Sequence, residues 1–282
     1  MKKIVALVAA LFSVVVPVQS QAADQKALVI IDSYFDSRVI SENVSCITTN
    51  GAVCTGSVKS IPTSMSSDIN HGNIMVEVAK KQNPSLPIIA IRAGTIVSAK
   101  TGVASVNQVN AGNFIDALNW VNSNSSNIGA VSFSRNLNTK TGDGVCLPAS
   151  QNTANYGGQT AADVKIRSLI STLNSKNIKV FAATGNLYKK PVDYPACILD
   201  TVSVSVGGYD KDGIVNSAYS VDLNTDYLVT SSIYVYKSAS SWVTQLDRTG
   251  NIANTTSPAT AAIAAKYLSS GLISEKVTEV LP

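Results

Sequence analysis

The chain has 282 residues, of which 45% are hydrophobic, and its formal net charge is +4. It is therefore long enough to bury a sizeable core. Because the charge is close to neutral and no run of basic residues is present, we expect neither a nucleic acid nor an anionic membrane as its partner.

The N-terminus has the pattern of a secretory signal peptide. Lys2 and Lys3 precede an apolar run over residues 4–16, and small residues then lead to a cleavage site after Ala22. The run is too short to span a membrane. Removing residues 1–22 leaves 260 residues with a net charge of +2. We therefore expect a protein secreted to the extracellular or periplasmic space, with one monomeric domain over 23–282 and no evident propeptide.

Short apolar runs typical of buried strands alternate along the chain with segments of helical periodicity. In chain order, the pattern predicts a strand at 27–31, a helix at 72–81, a strand at 88–91, a helix at 110–122, a strand at 128–133, a helix at 161–175, strands at 178–183, 201–206, 227–230 and 233–236, and an alanine-rich helix at 257–270 that Gly271 ends. The helix at 161–175 carries an apolar stripe that includes Val164 and Ile166. Such alternation predicts an α/β fold with a mostly parallel central sheet and helices on both faces.

Four cysteines follow the signal peptide, at Cys46, Cys54, Cys146 and Cys197. An even number in an exported protein predicts two disulfides, and three pairings are possible. One pairing closes a local loop between Cys46 and Cys54 and joins two distant loops through the other two cysteines. No spacing is typical of a zinc site, so we interpret all four cysteines as structural.

Functional side chains of an open parallel sheet gather at the carboxyl ends of its strands. Asp32 follows the first strand, where a carboxylate can orient an imidazole. His71 is the only histidine and lies at the expected start of a helix, so any imidazole acid–base chemistry must use it. Asn186 follows a strand and a glycine, where its amide can donate to a developing oxyanion. Ser257 precedes Pro258 at the start of the last helix, where it would also serve as an N-cap.

In this order and spacing, these positions resemble those of the subtilisin-like serine proteases over roughly residues 27–270. The matching segments are Val29-Ile30-Ile31-Asp32-Ser33, His71-Gly72, Ala182-Ala183-Thr184-Gly185-Asn186, Tyr194-Pro195-Ala196 and Val202-Ser203-Val204-Ser205-Val206-Gly207. The resemblance implies a subtilisin-like fold and a peptide or protein substrate.

The resemblance also implies the role of each residue. Ser257 would attack the peptide carbonyl, His71 would take and return its proton, and Asp32 would orient the imidazole. Asn186 and the backbone N–H of Ser257 would stabilise the oxyanion.

Two segments would bind the substrate backbone, one at Ser134 and Arg135 and the other at Ala183, Thr184 and Gly185. Because Arg135 stands where the family has leucine, we expect it to narrow or re-aim the pocket between the two segments.

Two alignments of the nucleophile segment are open. The family signature Gly-Thr-Ser-Met-Ala-Thr-Pro, laid on residues 255–261, matches at four positions that include Thr256 and Ser257. The rival alignment takes Ser257 and Pro258 as the end of the signature and puts Asn254 in the nucleophile's place. A carboxamide cannot form an acyl-enzyme. Since the first alignment matches more positions, Ser257 is the predicted nucleophile.

Three classes of function remain open from the residues alone. The first is a secreted serine endopeptidase, the second is a catalytically impaired pseudo-protease that binds peptides or proteins, and the third is an exported structural domain. No cofactor is expected. Calcium often stabilises the family, and Asp36, Asp210 and Asp212 are candidate loop carboxylates, but their spacing is not that of a recognisable ligand set. We therefore assign no metal site.

Overall fold

In a computed structural model, the described part of the chain comprises residues 25–35, 41–54, 67–94, 96–98, 104–106, 109–137, 161–185, 193–198, 200–209, 215–217, 227–230, 236–237, 251–252, 256–271 and 277–279. The predicted signal peptide, Cys146, Asn186, Asn254 and the three candidate calcium carboxylates lie outside these residues. Among the described helices, none has the length and apolar character needed to cross a membrane.

The described part of the chain contains a nine-stranded central sheet, in which β1 and β6 are fully buried. The strands, in chain order, are β1 Ala27–Asp32, β2 Val44–Thr48, β3 Ile88–Arg92, β4 Ile96–Ser98, β5 Ala104–Val106, β6 Ile128–Phe133, β7 Lys179–Ala183, β8 Thr201–Tyr209, β9 Val215–Ser217, β10 Tyr227–Thr230, β11 Tyr236–Lys237, β12 Asn251–Ile252 and β13 Val277–Glu279. The sheet order is β13-β10-β8-β7-β6-β1-β3-β2, with β9 antiparallel to β8 and all other neighbours parallel. Pairs β4–β5 and β11–β12 form separate antiparallel ribbons.

Helices cover both faces of the sheet, which confirms the predicted fold class. They are α1 Ser67–Gln82, α2 Ala111–Ser123, α3 Ala161–Ser175 and α4 Thr256–Ser270. On one face, α1 and α4 pack with alternate strand residues such as Leu28 and Ile30. On the other face, α2 and α3 pack with Val29 and Ile31. Because side chains alternate along a strand, each central strand contributes to both cores.

Most predicted elements are confirmed, and several begin and end at the predicted residues. β6, α3 and β10 have the predicted bounds, and α4 ends before Gly271, whose positive φ of 68° and bond to the carbonyl of Tyr267 are typical of a helix C-terminus. The Asn110 side chain caps α2 by accepting a hydrogen bond from the Asn113 backbone N–H at 2.8 Å.

Three expectations are corrected. Helix α1 begins at Ser67, so His71 lies inside the helix rather than at its start. Val164 is 55% exposed and does not belong to the buried stripe of α3. Strand β2 was not predicted, although the burial of Val44 and Cys46 on either side of exposed Ser45 has the alternation of a half-buried edge strand. The strand predicted at 233–236 falls mostly outside the described residues, and β11 begins at its last position.

Candidate active site

Asp32 is the last residue of β1 and lies at the centre of the candidate site. Its side chain is fully buried. One carboxylate oxygen, Oδ1, accepts a hydrogen bond from the Ser33 backbone N–H at 2.7 Å. A buried carboxylate needs charged or hydrogen-bonding partners because burial strongly disfavours the ionised form.

The His71 ring is the first such partner. Its Nδ1 lies 2.6 Å from Oδ2 of Asp32, and 12% of its side chain is exposed. A neutral imidazole that donates from Nδ1 to a carboxylate keeps Nε2 as the proton acceptor on the opposite side of the ring. This pair was predicted from the sequence, and the structure brings its two members into direct contact.

Gly72 explains how His71 comes so close to the end of β1. A Cβ atom at Gly72 would lie 2.4 Å from the backbone oxygen of Tyr34 and 2.8 Å from the Phe35 ring. Only glycine therefore lets α1 pack directly against the chain that follows β1. The His-Gly pair combines a proton carrier with the close approach that positions it.

Arg135 is the second charged partner of Asp32, and this contact was not predicted. Its Nε donates to Oδ1 of Asp32 at 2.9 Å, and 9% of its side chain is exposed. Burial by itself raises the pKa of Asp32, but the charges of Arg135 and His71 and their hydrogen bonds lower the pKa to about 2. Since Arg135 follows β6 and Asp32 ends the neighbouring β1, the sheet order itself brings the two groups together.

Ser257 lies in the first turn of α4 and is 6% exposed. Its hydroxyl donates to the Ser134 carbonyl at 3.1 Å, and the Ser134 hydroxyl donates to the Ser257 carbonyl at 3.1 Å. Because α4 begins at Thr256, Ser257 is inside the helix and is not its N-cap, which corrects the expectation for this residue. The reciprocal bonds attach the start of α4 to the end of β6, directly beside Arg135.

The second predicted substrate-binding segment, 183–185, lies at the end of β7. Because β6 and β7 are parallel neighbours, Ser134 and Thr184 follow strands that end on the same edge of the sheet. The Thr184 backbone N–H donates to the Val204 carbonyl at 3.0 Å, and Gly185 has a φ of 99° that only glycine adopts readily. The next residue, Asn186, is outside the described part of the chain.

Asp193 is a further carboxylate at this edge, which sequence reasoning missed. Its backbone N–H donates to the Thr184 carbonyl at 2.9 Å. Its side chain lies so close to Gly185 that a Cβ atom there would be 2.3 Å from Oδ2 of Asp193. Burial raises the pKa of Asp193 to about 7. The available signal was its position immediately before the matched segment Tyr194-Pro195-Ala196.

The predicted structural disulfides are present where the structure describes them. Cys46 of β2 is bonded to Cys54, and Cys197 is also disulfide-bonded. Within the described ranges, no group of three or more histidine, cysteine or acidic side chains is arranged to hold a metal ion.

Comparisons with known proteins identify the fold. No family model matches the chain, and no curated protein has a matching sequence. The solved structure of an S41 psychrophilic protease is similar, with a TM-score of 0.51, 15% identity, and coverage of 89% of this chain and 80% of that chain. The protease domain of PatA, solved as a serine-to-alanine mutant, has a TM-score of 0.50 at 10% identity and covers 87% and 81% of the two chains. The predicted subtilisin-like α/β fold is thereby confirmed.

Proposed function

We propose that the chain is a secreted serine endopeptidase that uses Asp32, His71 and Ser257, with Asn186 as an oxyanion donor. The observation that carries the proposal is the 2.6 Å contact between His71 Nδ1 and the buried carboxylate of Asp32. A carboxylate in this place holds the imidazole in the tautomer that accepts a proton at Nε2, and it stabilises the imidazolium that then forms.

In the proposed reaction, the Ser257 hydroxyl turns from the Ser134 carbonyl toward Nε2 of His71 and loses its proton to that nitrogen. The Ser257 Oγ then forms a bond to the peptide carbonyl carbon. Asn186, the Ser257 backbone N–H and the positive end of α4 stabilise the negative oxygen. When the C–N bond breaks, the imidazolium gives its proton to the leaving amine. A water molecule, activated by the same imidazole, hydrolyses the acyl-enzyme.

A fluorophosphonate probe tests this proposal, because it phosphonylates only an activated serine. We expect the wild-type protein to be labelled, and we expect Ser257→Ala and His71→Ala to abolish labelling and lower turnover by about 10⁶. Ser270→Ala is the matched control, since Ser270 lies exposed at the other end of α4 and its hydroxyl donates to the Lys266 carbonyl of the same helix. Labelling that survives Ser257→Ala would refute the assignment of the nucleophile.

A pseudo-protease that binds peptides or proteins is the alternative, and the Arg135–Asp32 contact favours it. A guanidinium at Oδ1 neutralises charge that Asp32 would otherwise use to stabilise the imidazolium. Folded wild-type protein that resists the probe and yet captures an extended peptide would establish this alternative. Capture of no peptide by such an unreactive protein would favour the exported structural domain instead.

The proposal includes export after cleavage of residues 1–22, a peptide or protein substrate, and a monomeric state. N-terminal sequencing of the protein recovered outside the cytoplasm would check the cleavage site, with Ala23 as the expected first residue. Light scattering of the same sample would check the monomer.

A further inference from the structure

The turn that begins at Asp193 is hydrogen-bonded to one of the two segments that are predicted to bind substrate and to a residue just beyond the other. The Asp193 backbone N–H is bonded to the Thr184 carbonyl of one segment, and the Tyr194 carbonyl accepts a hydrogen bond from the Leu137 backbone N–H, just beyond the other segment, at 3.0 Å. The turn that begins at Asp193 is therefore hydrogen-bonded to the chain beyond both β6 and β7.

The carboxylate is pressed against the backbone of one of these segments. A Cβ atom at Gly185 would lie 2.3 Å from Oδ2 and 3.0 Å from Oδ1 of Asp193. Both oxygens thus face Gly185, the residue before the predicted oxyanion donor Asn186. In the proposed reaction Asn186 binds the oxygen of the attacked carbonyl, so we expect the substrate residue that carries this carbonyl to lie near Gly185.

The turn is held firmly by a buried polar contact on its other side. The Tyr194 side chain is fully buried, and its hydroxyl donates to Oδ1 of Asp163 in α3 at 2.5 Å. Asp163 is also paired with Arg167, with Nε at 3.0 Å from Oδ2. Because Tyr194 is anchored to α3, the position of the adjacent Asp193 is constrained as well.

Within the described residues, no cation is paired with the Asp193 carboxylate. Arg135, which lies on the opposite segment, directs its Nε to Oδ1 of Asp32. Burial makes an uncompensated charge at Asp193 unfavourable, as its raised pKa of about 7 reflects. A bound cation would remove this penalty.

We propose that Asp193 is the specificity-determining residue of the cleft and selects substrates with lysine or arginine on the acyl side of the scissile bond. The carboxylate oxygens accept charge-assisted hydrogen bonds from the ammonium or the guanidinium of that side chain. This inference rests on the proposed peptidase function, and it adds the substrate class.

Peptide substrates that differ only at this position test the inference. Arginine is compared with citrulline, which has nearly the same shape and no charge, and lysine is compared with methionine. We expect kcat/KM to be about 10- to 100-fold higher for the cationic member of each pair. Asp193→Asn should abolish the preference by lowering kcat/KM for the cationic substrates alone, while Asp116→Asn, an exposed carboxylate on α2, should preserve it. Equal kcat/KM for arginine and citrulline in the wild type would overturn the inference.

A binding experiment separates this inference from the proposed function. Benzamidine, a planar cation, and benzamide, its neutral analogue, are titrated into the wild-type protein and into Ser257→Ala by calorimetry. We expect benzamidine alone to bind to both proteins, and Asp193→Asn, verified as folded by circular dichroism, to lose that binding. Benzamidine binding without fluorophosphonate labelling would refute the peptidase and leave the cationic pocket in place. Peptide hydrolysis with no benzamidine binding would refute the pocket and leave the peptidase.

Discussion

Replacing Arg135 by methionine measures how strongly the fold depends on the charge cluster at Asp32. Because a pKa of about 2 instead of 3.8 favours the ionised carboxylate, the partners of Asp32 contribute about 2 kcal/mol of net stability at pH 7. Arg135→Met leaves the fully buried carboxylate with its hydrogen bonds to the His71 ring and to the Ser33 backbone N–H. We expect a loss of about 3 kcal/mol at pH 7, near the lower end for a broken buried ion pair, because one partner remains.

Urea unfolding followed by circular dichroism gives this free energy at each pH. A lowered carboxyl pKa contributes stability that is present above pH 4 and is lost as pH falls toward 2, so the difference between wild type and Arg135→Met should shrink over that window. Asp32→Asn and the double variant complete a cycle, in which the double variant should lose clearly less than the sum of the two single losses. Additive losses, or a wild-type advantage that is equal at pH 2 and pH 7, would contradict the reasoning.

Three further predictions concern a glycine, a disulfide and a carboxylate. Gly72→Ala should destabilise the fold by about 1–3 kcal/mol and lower turnover with it, since its Cβ atom would lie 2.4 Å from the backbone oxygen of Tyr34; unchanged unfolding and kinetics would show that α1 can shift freely. Replacing Cys46 and Cys54 by serine should lower the unfolding free energy by about 2.5 kcal/mol in the chain-entropy model, for a loop with a sequence separation of 8; urea unfolding of this double variant beside the wild type, both without reductant, would check the value, and equal free energies would contradict it. Asp193 has a pKa raised to about 7, so the arginine-to-citrulline ratio of kcat/KM should fall as the pH drops below 7. For the same reason, Asp193→Asn should be more stable than the wild type at pH 8 and lose that advantage toward pH 4. A ratio that does not change with pH would count against an ionised Asp193 in recognition.

The fold was predictable because its central elements carry strong periodic signals. β6 and α3 have the predicted bounds, since each is an uninterrupted apolar run or a regular apolar stripe. Val164 was wrongly assigned to the buried stripe because an apolar residue at the boundary of a helix's apolar face can still face solvent. β2 was missed because its alternation covers only three of five residues, and its pairing with β3 completes the strand.

The candidate residues and their order along the chain could be predicted from the sequence, but the contacts between charged side chains at the site could not. Strand-end reasoning located Asp32 and His71, which the structure brings together. The contact of Arg135 with Asp32 could not be read from the sequence, because it depends on β6 lying directly beside β1. Asp193 was missed for a similar reason. Its proposed role in substrate binding depends on the closeness of its carboxylate to Gly185, eight positions earlier in the chain, and only the folded structure shows this.

The two cores of the sheet have unequal consequences for an engineer of this protein. Helices α1 and α4, which carry His71 and Ser257, pack in one core, whereas α2 and α3 pack in the other. In a library of conservative core substitutions, changes beneath α1 and α4 should therefore lower turnover before they lower the melting temperature. Changes beneath α2 and α3, apart from Asp163, should lower the melting temperature first. The α2–α3 side is accordingly the better place to attach a fusion partner, a surface tether or a fluorescent reporter.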